Sequence, residues 1–464
     1  MLGATAAVAS PLRITPVRAS RSGEDNQSTA PSNTTPRART VPANLLIPAC
    51  LYPHAREGQR FYWSSPRKAW ACRGTPRTRA RYAVKVNEPK HDAHALSILH
   101  VDAERGFSGG EVQVFLLLEG LRSRGHRVSL VCPPGSGAES AARERGLDVL
   151  PVPLRNDADL RGVRSIAGIL KSGEFDLAHL HTGRATWLGG LAAKLAGIPA
   201  LTTRRMDRAV KRSLRTRLIY RSLTQRVAAI SPSVANCLRA ANVPEERIVV
   251  IPSSVDPVRV QPPAGADRDG LRRELMGEEA GDSLCILVLA ALVPRKGIDV
   301  LLSALGALSA DERPFLLVAG EGSSRASLEA QTDALGLRGR VRFLGRREDV
   351  AELLLAADMM ALPSHQEGLG VAALEGMAAG LPILASEVGG LADAVQGERT
   401  GLLLPAGNVA AWTAGLRRLC SDADLRERFG VAGRERVTEG FLPDQMTASY
   451  VELYREILAE NTRG

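Results

Sequence analysis

The chain has 464 residues, 44% of them hydrophobic, 4% aromatic and 24% charged, and this length is more than one hydrophobic core usually supports. The formal net charge of +10 would suit a nucleic-acid-binding protein, but residues 1–90 hold 15 Lys and Arg against 4 Asp and Glu, so the rest is close to neutral. Because the sequence carries no base-reading motif, we expect no nucleic acid as a partner.

The six cysteines are scattered along the chain without a CxxC pair. This pattern is typical of a reducing compartment and argues against a disulfide framework or a zinc site. No apolar run approaches the roughly 18–20 residues that cross a bilayer, so we expect no membrane-spanning helix.

Residues 1–92 are rich in Pro, Arg, Ser and Thr and show no hydrophobic periodicity, which predicts a disordered basic tail. The first residues, "MLGATAAVASPLRITPVRAS", lack the continuous apolar segment of a secretory signal peptide. An organellar transit peptide would share this Arg-rich, acid-poor composition, and so would a stretch translated from a misplaced start codon. Both alternatives stay open.

Two series of short aliphatic runs, alternating with segments of helical periodicity, follow the tail. The first covers residues 93–260 and begins with "LSILHVD"; the second covers 281–440 and begins with "CILVLAALV". Continuous apolar strands separated by helices predict a parallel sheet covered on both faces. The Pro- and Gly-rich residues 261–280 are predicted to be a linker. The fold class is therefore α/β, with two doubly wound domains and a ligand site in the cleft between them.

A basic segment lies within the first series. Residues 204–226 hold nine basic residues and one acidic residue, with apolar side chains at helical spacing. Such a segment is either an exposed helix face or a surface for a phosphorylated, lipid-linked acceptor or an anionic membrane. The candidate residues for the second role are Arg204, Arg205, Arg208, Lys211 and Arg212.

The segment "HQEGLGVAALEGMAAG" places Glu367 in the loop after the predicted strand "MMALPS", and Glu375 about one turn into the next helix. Gly368 and Gly370 allow a ligand to approach the backbone closely, and the start of a helix favours negative charge. A carboxylate facing the cleft suits two vicinal hydroxyls. We therefore predict a site for a nucleotide ribose and its diphosphate, the alternative being that Glu367 caps a helix and Glu375 is exposed.

The spacing of the two glutamates in "EGLGVAALE" resembles the signature of glycosyltransferase family 4, whose members are retaining enzymes of the GT-B fold. The resemblance extends from about residue 96 to 460 and includes "FSGGEVQVFLLLEGL", "RIVVIPSSVD", "LVPRKGIDVLLSAL", "LVAGEGSSRASLE" and "VGGLADAV". It implies a Rossmann-like acceptor domain over 93–260, a Rossmann-like nucleotide-sugar donor domain over 281–440, and a C-terminal helix over 441–464 that crosses back to the first domain.

The resemblance also implies roles for individual residues. Glu367 lies near the transferred sugar, Arg295 and Lys296 neutralise the departing diphosphate, and Glu375 holds the donor ribose. The predicted catalytic set is Glu367, Arg295 and Lys296, which the resemblance implies, together with His181, which is a candidate from its position alone. The implied donor-binding set is Gly109, Gly110, Arg295, Lys296, Gly320, Gly322, Gly368, Leu369, Gly370 and Glu375.

The sequence departs from the family pattern at two places. Many relatives carry a catalytic-site histidine where this chain reads "TTRRMD", with Arg204 and Arg205. His181, in "HLHTGRA", is the best remaining candidate for a histidine in the cleft, although a structural role in the core is equally compatible with its position. Ser253 and Ser254 replace the family's Asn-Gly, which affects the expected acceptor contacts.

The resemblance implies an enzyme that moves a hexose-type sugar from a nucleotide sugar to a glycan or lipid-linked acceptor, in bacterial lipopolysaccharide or surface polysaccharide synthesis. We expect it in the cytoplasm or at the inner face of the cytoplasmic membrane, without a metal or other cofactor. Its oligomeric state is left open.

Three other functions are compatible with parts of the sequence. A nucleotide-sugar epimerase of the same fold and a non-catalytic binder of sugar nucleotides are the alternatives. A dinucleotide-dependent oxidoreductase is disfavoured, because "GEGSSR" lacks the third glycine of the fingerprint. The two "DAD" strings, 157–159 and 422–424, are more simply helix N-caps than a metal motif.

Overall fold

The computed structural model describes residues 94–278 and 283–462. The tail predicted over residues 1–92 lies outside the described residues, as do the last residues of the predicted linker. In the described part of the chain, no helix combines the length and the apolar character that crossing a bilayer requires.

The first domain is built on a seven-stranded parallel sheet with the strand order β3-β2-β1-β4-β5-β6-β7. The strands are β1 (Ser97–Val101), β2 (Arg127–Cys132), β3 (Asp148–Pro151), β4 (Leu177–Leu180), β5 (Ala200–Arg204), β6 (Arg226–Ala229) and β7 (Ile248–Val250). The strand order reverses between β1 and β4, which opens a crevice beyond their carboxyl ends. His100 of β1 pairs in register with His179 of β4.

Six α-helices connect these strands, and most begin at a polar side chain that accepts a hydrogen bond from the first turn. They are α1 (Gly109–Ser123), α2 (Gly137–Glu144), α3 (Leu160–Ser172), α4 (Gly183–Ala196), α5 (Leu214–Leu218, continued by a π-helical turn over Ile219–Leu223) and α6 (Pro232–Ala240). Asp159 caps α3 by accepting from the amide of Gly162. The first "DAD" string is therefore an N-cap, as predicted.

The second domain is built on a six-stranded parallel sheet with the order β10-β9-β8-β11-β12-β13. Its strands are β8 (Cys285–Leu289), β9 (Phe315–Ala319), β10 (Val341–Gly345), β11 (Met359–Leu362), β12 (Ile383–Ser386) and β13 (Gly401–Leu404). Here the order reverses between β8 and β11. Strands from sequence positions more than 70 residues apart therefore end side by side.

The helices of the second half follow the same alternation. They are α7 (Pro257–Val260), α8 (Arg268–Met276), α9 (Ile298–Gly306), α10 (Arg325–Ala334), α11 (Val350–Ala356), α12 (Val371–Ala378), α13 (Gly389–Ala394), α14 (Val409–Ser421), α15 (Ala423–Gly440) and α16 (Pro443–Asn461). Asp422 caps α15 through the amide of Leu425, so the second "DAD" string is also an N-cap. Two parallel sheets with helices connecting their strands confirm the predicted α/β class.

The segment predicted to be a linker contains α8, which is folded against the second domain. The buried Arg272 of this helix donates hydrogen bonds to the carbonyl of Ala356, at 2.7 Å, and to the carboxylate of Asp358, at 3.0 Å. A buried guanidinium needs such partners to offset the loss of water.

The C-terminal helix α16 packs against the first domain, although it follows the second domain in sequence. Its apolar residues, among them Met446, Val451 and Ile457, share one core with α1 and with β1 and β2. Tyr454 and Tyr450 of α16 are buried with them. Helix α16 is therefore part of the core of the first domain.

Candidate active site

The two predicted site residues Lys296 and Glu367 meet at the carboxyl ends of β8 and β11. The Lys296 ammonium lies 2.5 Å from Oε2 of Glu367, and both side chains are largely buried. Ser364 donates a second hydrogen bond to the same carboxylate oxygen, at 3.3 Å. Because β8 and β11 are neighbours in the sheet, the two loops that follow them bring an ammonium and a carboxylate together at one edge of the second domain.

Arg295 does not share this contact. It is exposed and lines an open groove together with Asp299 at the start of α9, Ser324 before α10, and His365. The backbone amide of His365 donates to the carbonyl of Arg295 at 2.8 Å. The structure therefore separates the pair of cations that the sequence places side by side: only Lys296 reaches Glu367.

Glu375 is 8% exposed and lies on α12. Its Oε1 accepts a hydrogen bond from Nε of Arg259 at 2.7 Å. Burial raises the pKa of the Glu375 carboxyl, and the Arg259 guanidinium partly opposes that shift. Arg259 could not be predicted from the sequence, because it lies beside Pro-rich residues with no motif of their own.

The loop that joins Glu367 to α12 also contacts the first domain. A Cβ at Gly368 would lie 2.3 Å from the carbonyl oxygen of Arg205, so only glycine fits there. Ser231 of the first domain donates a hydrogen bond to the carbonyl of Gly368 at 2.8 Å. Leu369 is buried, and Gly370 starts α12 with a left-handed backbone of φ 80°. The loop is thus clamped between the domains.

The "VGG" segment of the sequence supports the same loop from behind. The amide of Gly390 donates to the carbonyl of Glu367 at 2.9 Å. A Cβ at Gly390 would lie 2.0 Å from the carbonyl oxygen of Gly368. This backbone packing, which fixes the position of Glu367, is a role that the motif alone did not reveal.

Gly320 and Gly322, predicted to bind the donor, lie where the loop after β9 crosses the loop after β8. A Cβ at Gly320 would lie 1.9 Å from the carbonyl oxygen of Ala290, and one at Gly322 would lie 2.3 Å from that of Leu292. Close backbone packing by itself accounts for both glycines.

The start of α1 faces this site from the first domain. Ser108 and Glu111 form a capping box, in which the amide and the hydroxyl of Ser108 both donate to the Glu111 carboxylate at 2.6 Å. Gly109 and Gly110 form the first turn. A Cβ at Gly110 would lie 3.9 Å from Cδ of Arg205, so the positive end of the α1 dipole lies beside a guanidinium.

His181 is 4% exposed and belongs to a buried cluster of three histidines. Its Nε2 is 2.9 Å from Nδ1 of His100. His179 is hydrogen-bonded through Nδ1 to the hydroxyl of Tyr454, at 2.7 Å, and through Nε2 to that of Thr203, at 2.7 Å. Burial lowers the pKa of all three imidazoles, that of His100 to about 3.

The ring nitrogens of these three histidines lie within 4.8 Å of one another, close enough to hold a metal ion. Two observations oppose that role. Both nitrogens of His179 are engaged by hydroxyl groups, and the guanidinium of Arg205 lies 3.4 Å from Nδ1 of His181. A fixed positive charge at that distance repels a cation.

The basic segment is only partly helical, because α5 begins at Leu214 and the preceding residues form a loop. Arg204 turns away from the cleft and donates to the carbonyl of Arg208 at 2.6 Å. Arg212 donates to the carbonyl of Ala240 at the end of α6, at 2.9 and 2.7 Å. Arg208 and Lys211 are exposed. Of the five predicted residues, only Arg205 is directed at the cluster of histidines beside the cleft.

Comparisons with known proteins place this arrangement in a family. Residues 107–259 match the family model described as Glycosyltransferase Family 4, and residues 276–436 match the one described as Glycosyl transferases group 1. A D-inositol 3-phosphate glycosyltransferase from Saccharomonospora viridis is 30% identical over 338 residues, which are 66% of this chain and 76% of the relative. The chain belongs to glycosyltransferase family 4.

Another relative and a solved structure are also similar to this chain. The lipopolysaccharide core biosynthesis glycosyltransferase LpsD of Rhizobium meliloti is 30% identical over 235 residues, 51% of this chain and 65% of LpsD. The structure of Anabaena HepE, determined with UDP and glucose, superposes with a TM-score of 0.69 at 19% identity and covers 78% of this chain and 100% of HepE. The predicted GT-B fold is confirmed, and the protein is a glycosyltransferase rather than an epimerase or a non-catalytic binder.

Proposed function

We propose that this glycosyltransferase is a retaining enzyme that moves a hexose-type sugar from a nucleotide sugar to a glycan or lipid-linked acceptor, in the synthesis of bacterial lipopolysaccharide or another surface polysaccharide. The observation that carries the proposal is the contact of Lys296 and Glu367 on a loop that is packed between the two domains. A carboxylate that binds sugar hydroxyls and cations that bind phosphate then face the same cleft.

The transferred sugar gains positive charge at its anomeric carbon as the diphosphate leaves, and the diphosphate gains negative charge. Fixed charges already in place at both ends stabilise such a transition state without reorganisation. Lys296 and the first turn of α1 supply the positive side, and Glu367 supplies the negative side beside the sugar. We expect this set to work without a metal ion or other cofactor.

In this scheme, Glu375 would accept hydrogen bonds from the hydroxyls of the donor ribose. Its ion pair with Arg259 keeps a charged carboxylate in a buried position, and the Arg259 side chain is 38% exposed, so it can move toward water when a ribose arrives. The HepE structure was determined with UDP and glucose, which makes UDP the first nucleotide to test.

The acceptor part of the proposal rests on the exposed side chains of the basic segment and on two relatives. Leu214, which is 82% exposed, follows the exposed Arg208 and Lys211 in the same segment. This combination suits a phosphorylated, lipid-linked acceptor at an anionic membrane surface. One relative is named for an inositol phosphate and another for the lipopolysaccharide core.

The test is calorimetric titration of the full chain with UDP, GDP and ADP and with their sugars, with and without EDTA. One nucleotide is expected to bind tightly and independently of metal, and Glu375→Gln is expected to weaken it about tenfold, since a buried carboxylate–hydroxyl contact is lost. Glu387→Gln, an exposed glutamate in the loop after β12, is the matched control. If the unaltered chain binds no nucleotide, the proposal is wrong. The anomeric configuration of the product, determined by NMR, tests retention separately.

A further inference from the structure

Arg205 is a guanidinium without a carboxylate partner. Among residues 94–278 and 283–462 it forms no ion pair, and its Nε is buried without a hydrogen-bond partner. Its Nη1 and Nη2 each lie 3.4 Å from Nδ1 of His181, and Nη1 lies 3.3 Å from the carbonyl oxygen of His181. A partly buried cation that is held only by neutral groups is costly unless an anion joins it.

Arg205 lies between two elements that the proposed function assigns to donor binding, the first turn of α1 and the loop before α12. Cδ of Arg205 lies beside the first turn of α1, and its carbonyl oxygen touches Gly368. Across the same cleft, the ammonium of Lys296 is already paired with Glu367. Arg205 is therefore a positive charge of the site that has no ion-pair partner among the described residues.

The nearby carboxyls of Glu111 and Asp102 form no ion pair with Arg205. Glu111 is occupied by the amide and hydroxyl of Ser108. Asp102, 1% exposed at the end of β1, accepts the amide of Glu104 at 2.9 Å and makes no ion pair among the described residues. Burial raises the pKa of Asp102 to about 6, against the opposing effect of Arg205.

The histidines behind Arg205 fix where its nitrogens lie. A guanidinium can only donate hydrogen bonds, so Nδ1 of His181 must present its lone pair to Arg205. The proton of the neutral His181 ring then resides on Nε2 and is donated to Nδ1 of His100, 2.9 Å away. The opposite arrangement would direct an N–H group at the guanidinium, so the chain His100–His181–Arg205 has one favourable order of protons.

The same order leaves the proton of His100 on Nε2, which is buried without a partner. An unsatisfied buried N–H group is destabilising. A leucine at position 100 would have no unsatisfied N–H group. The reason for a histidine there is that its Nδ1 accepts the hydrogen bond from His181.

We propose that Arg205 binds the departing diphosphate of the donor, at the place where many family members carry a histidine, and that His181 and His100 are positioning residues for it. This rests on the proposed function. In the transfer, the bond between the anomeric carbon and the diphosphate oxygen breaks and its electron pair stays on the diphosphate. The bond from the acceptor oxygen to the anomeric carbon forms, and the acceptor's hydroxyl proton ends on the released diphosphate. Arg205 stabilises the charge and exchanges no proton.

The first experiment compares Arg205→Gln and Arg205→Lys with the unaltered full chain. Calorimetry is run with UDP, GDP, ADP and the corresponding nucleosides. For the nucleoside diphosphate that binds, Arg205→Gln is expected to weaken affinity about 10- to 100-fold and to lower kcat, since charge-assisted hydrogen bonds are lost. Nucleoside binding should not change. Arg239→Gln, which removes an arginine already paired with Glu245 in the first domain, is the control.

The possible results separate the two proposals and the two sources of phosphate. No binding of any nucleoside diphosphate to the unaltered chain means that the proposed function is wrong. Equal diphosphate binding and equal kcat in Arg205→Gln overturn the role of Arg205. If Arg205→Gln changes only the binding of inorganic phosphate to the nucleotide-saturated protein, the phosphate belongs to the acceptor and the assignment to the donor is overturned.

The second experiment tests positioning with a matched pair at His100. His100→Leu removes the nitrogen that accepts the hydrogen bond from His181. In His100→Asn, the side-chain amide oxygen can accept that hydrogen bond instead. We expect Leu to lower kcat and diphosphate affinity at least about fivefold, and Asn to restore most of both. Ring ¹⁵N shifts of His181 should show the proton on Nε2 in the unaltered protein. Equal kinetics for Leu, Asn and the unaltered chain, or a proton on Nδ1, would contradict the positioning role.

Discussion

The buried imidazoles of His100, His179 and His181 make this protein sensitive to acid. Burial holds the pKa of each of them below the ordinary value, that of His100 at about 3. In the unfolded chain each ring titrates near pH 6.5. Between these values the unfolded state binds more protons than the folded state, so the free energy of unfolding decreases as the pH falls below about 6.5.

Each such histidine contributes a slope of about 1.4 kcal/mol per pH unit. His100→Asn should therefore reduce the proton uptake on unfolding by about one between pH 4.5 and 6, as measured by urea unfolding across that range. Asp102, whose raised pKa of about 6 makes stability increase as the pH falls, acts in the opposite direction. Its contribution cancels in the comparison of the two proteins. An unchanged slope would mean that His100 is not buried in its neutral form.

At the scale of single elements, the loop before α12 is the contact that holds Glu367 against the first domain. Three backbones meet there: the Arg205 carbonyl, Gly368, and Gly390 at the start of α13. No side chain can adjust, because every short distance involves main-chain atoms. The domains consequently approach this closely only while residue 368 has no Cβ.

Gly368→Ala is expected to lower kcat/KM at least about tenfold while the Tm changes by only a few degrees, since the clash lies between domains and not in a core. Steady-state kinetics and thermal unfolding on the same preparation test this. Gly106→Ala, where a Cβ would meet nothing within 4 Å, is the control. A variant with normal kinetics would mean that catalysis does not need the packed loop.

On the surface of the molecule, one exposed segment carries both apolar and basic side chains. Leu214 and the nearby Leu218 are exposed on α5, and Arg208 and Lys211 precede them on the same segment. Electrostatic attraction of about 1 kcal/mol for each basic residue near an anionic surface adds to the burial of such leucines.

We predict that the protein co-sediments with vesicles that contain anionic lipid, and that Arg208→Glu combined with Lys211→Glu lowers the bound fraction several-fold. High salt should have the same effect, because screening weakens exposed charges. The matched control reverses Arg161 and Arg164, which are exposed on α3. Equal binding of both double variants would place the membrane contact elsewhere or exclude it.

The α/β class, the alternation of strands and helices and the two "DAD" N-caps could be predicted from the sequence, and the structure confirms them. These features depend on local periodicity and on short motifs, and a window of about 10 to 20 residues is enough to recognise them. The family resemblance also pointed to Lys296 and Glu367, which the structure brings into contact. The roles of Glu367 and Glu375 stay predictions.

Only the tertiary structure decided which neighbouring residues face the cleft. Arg204 and Arg205 are adjacent in sequence, yet Arg204 donates to the carbonyl of Arg208, in the loop before α5, and Arg205 faces His181. Likewise, Arg259 meets Glu375 across 116 positions. Such contacts depend on which strands become neighbours and on how the domains close, and local sequence patterns carry no information about either.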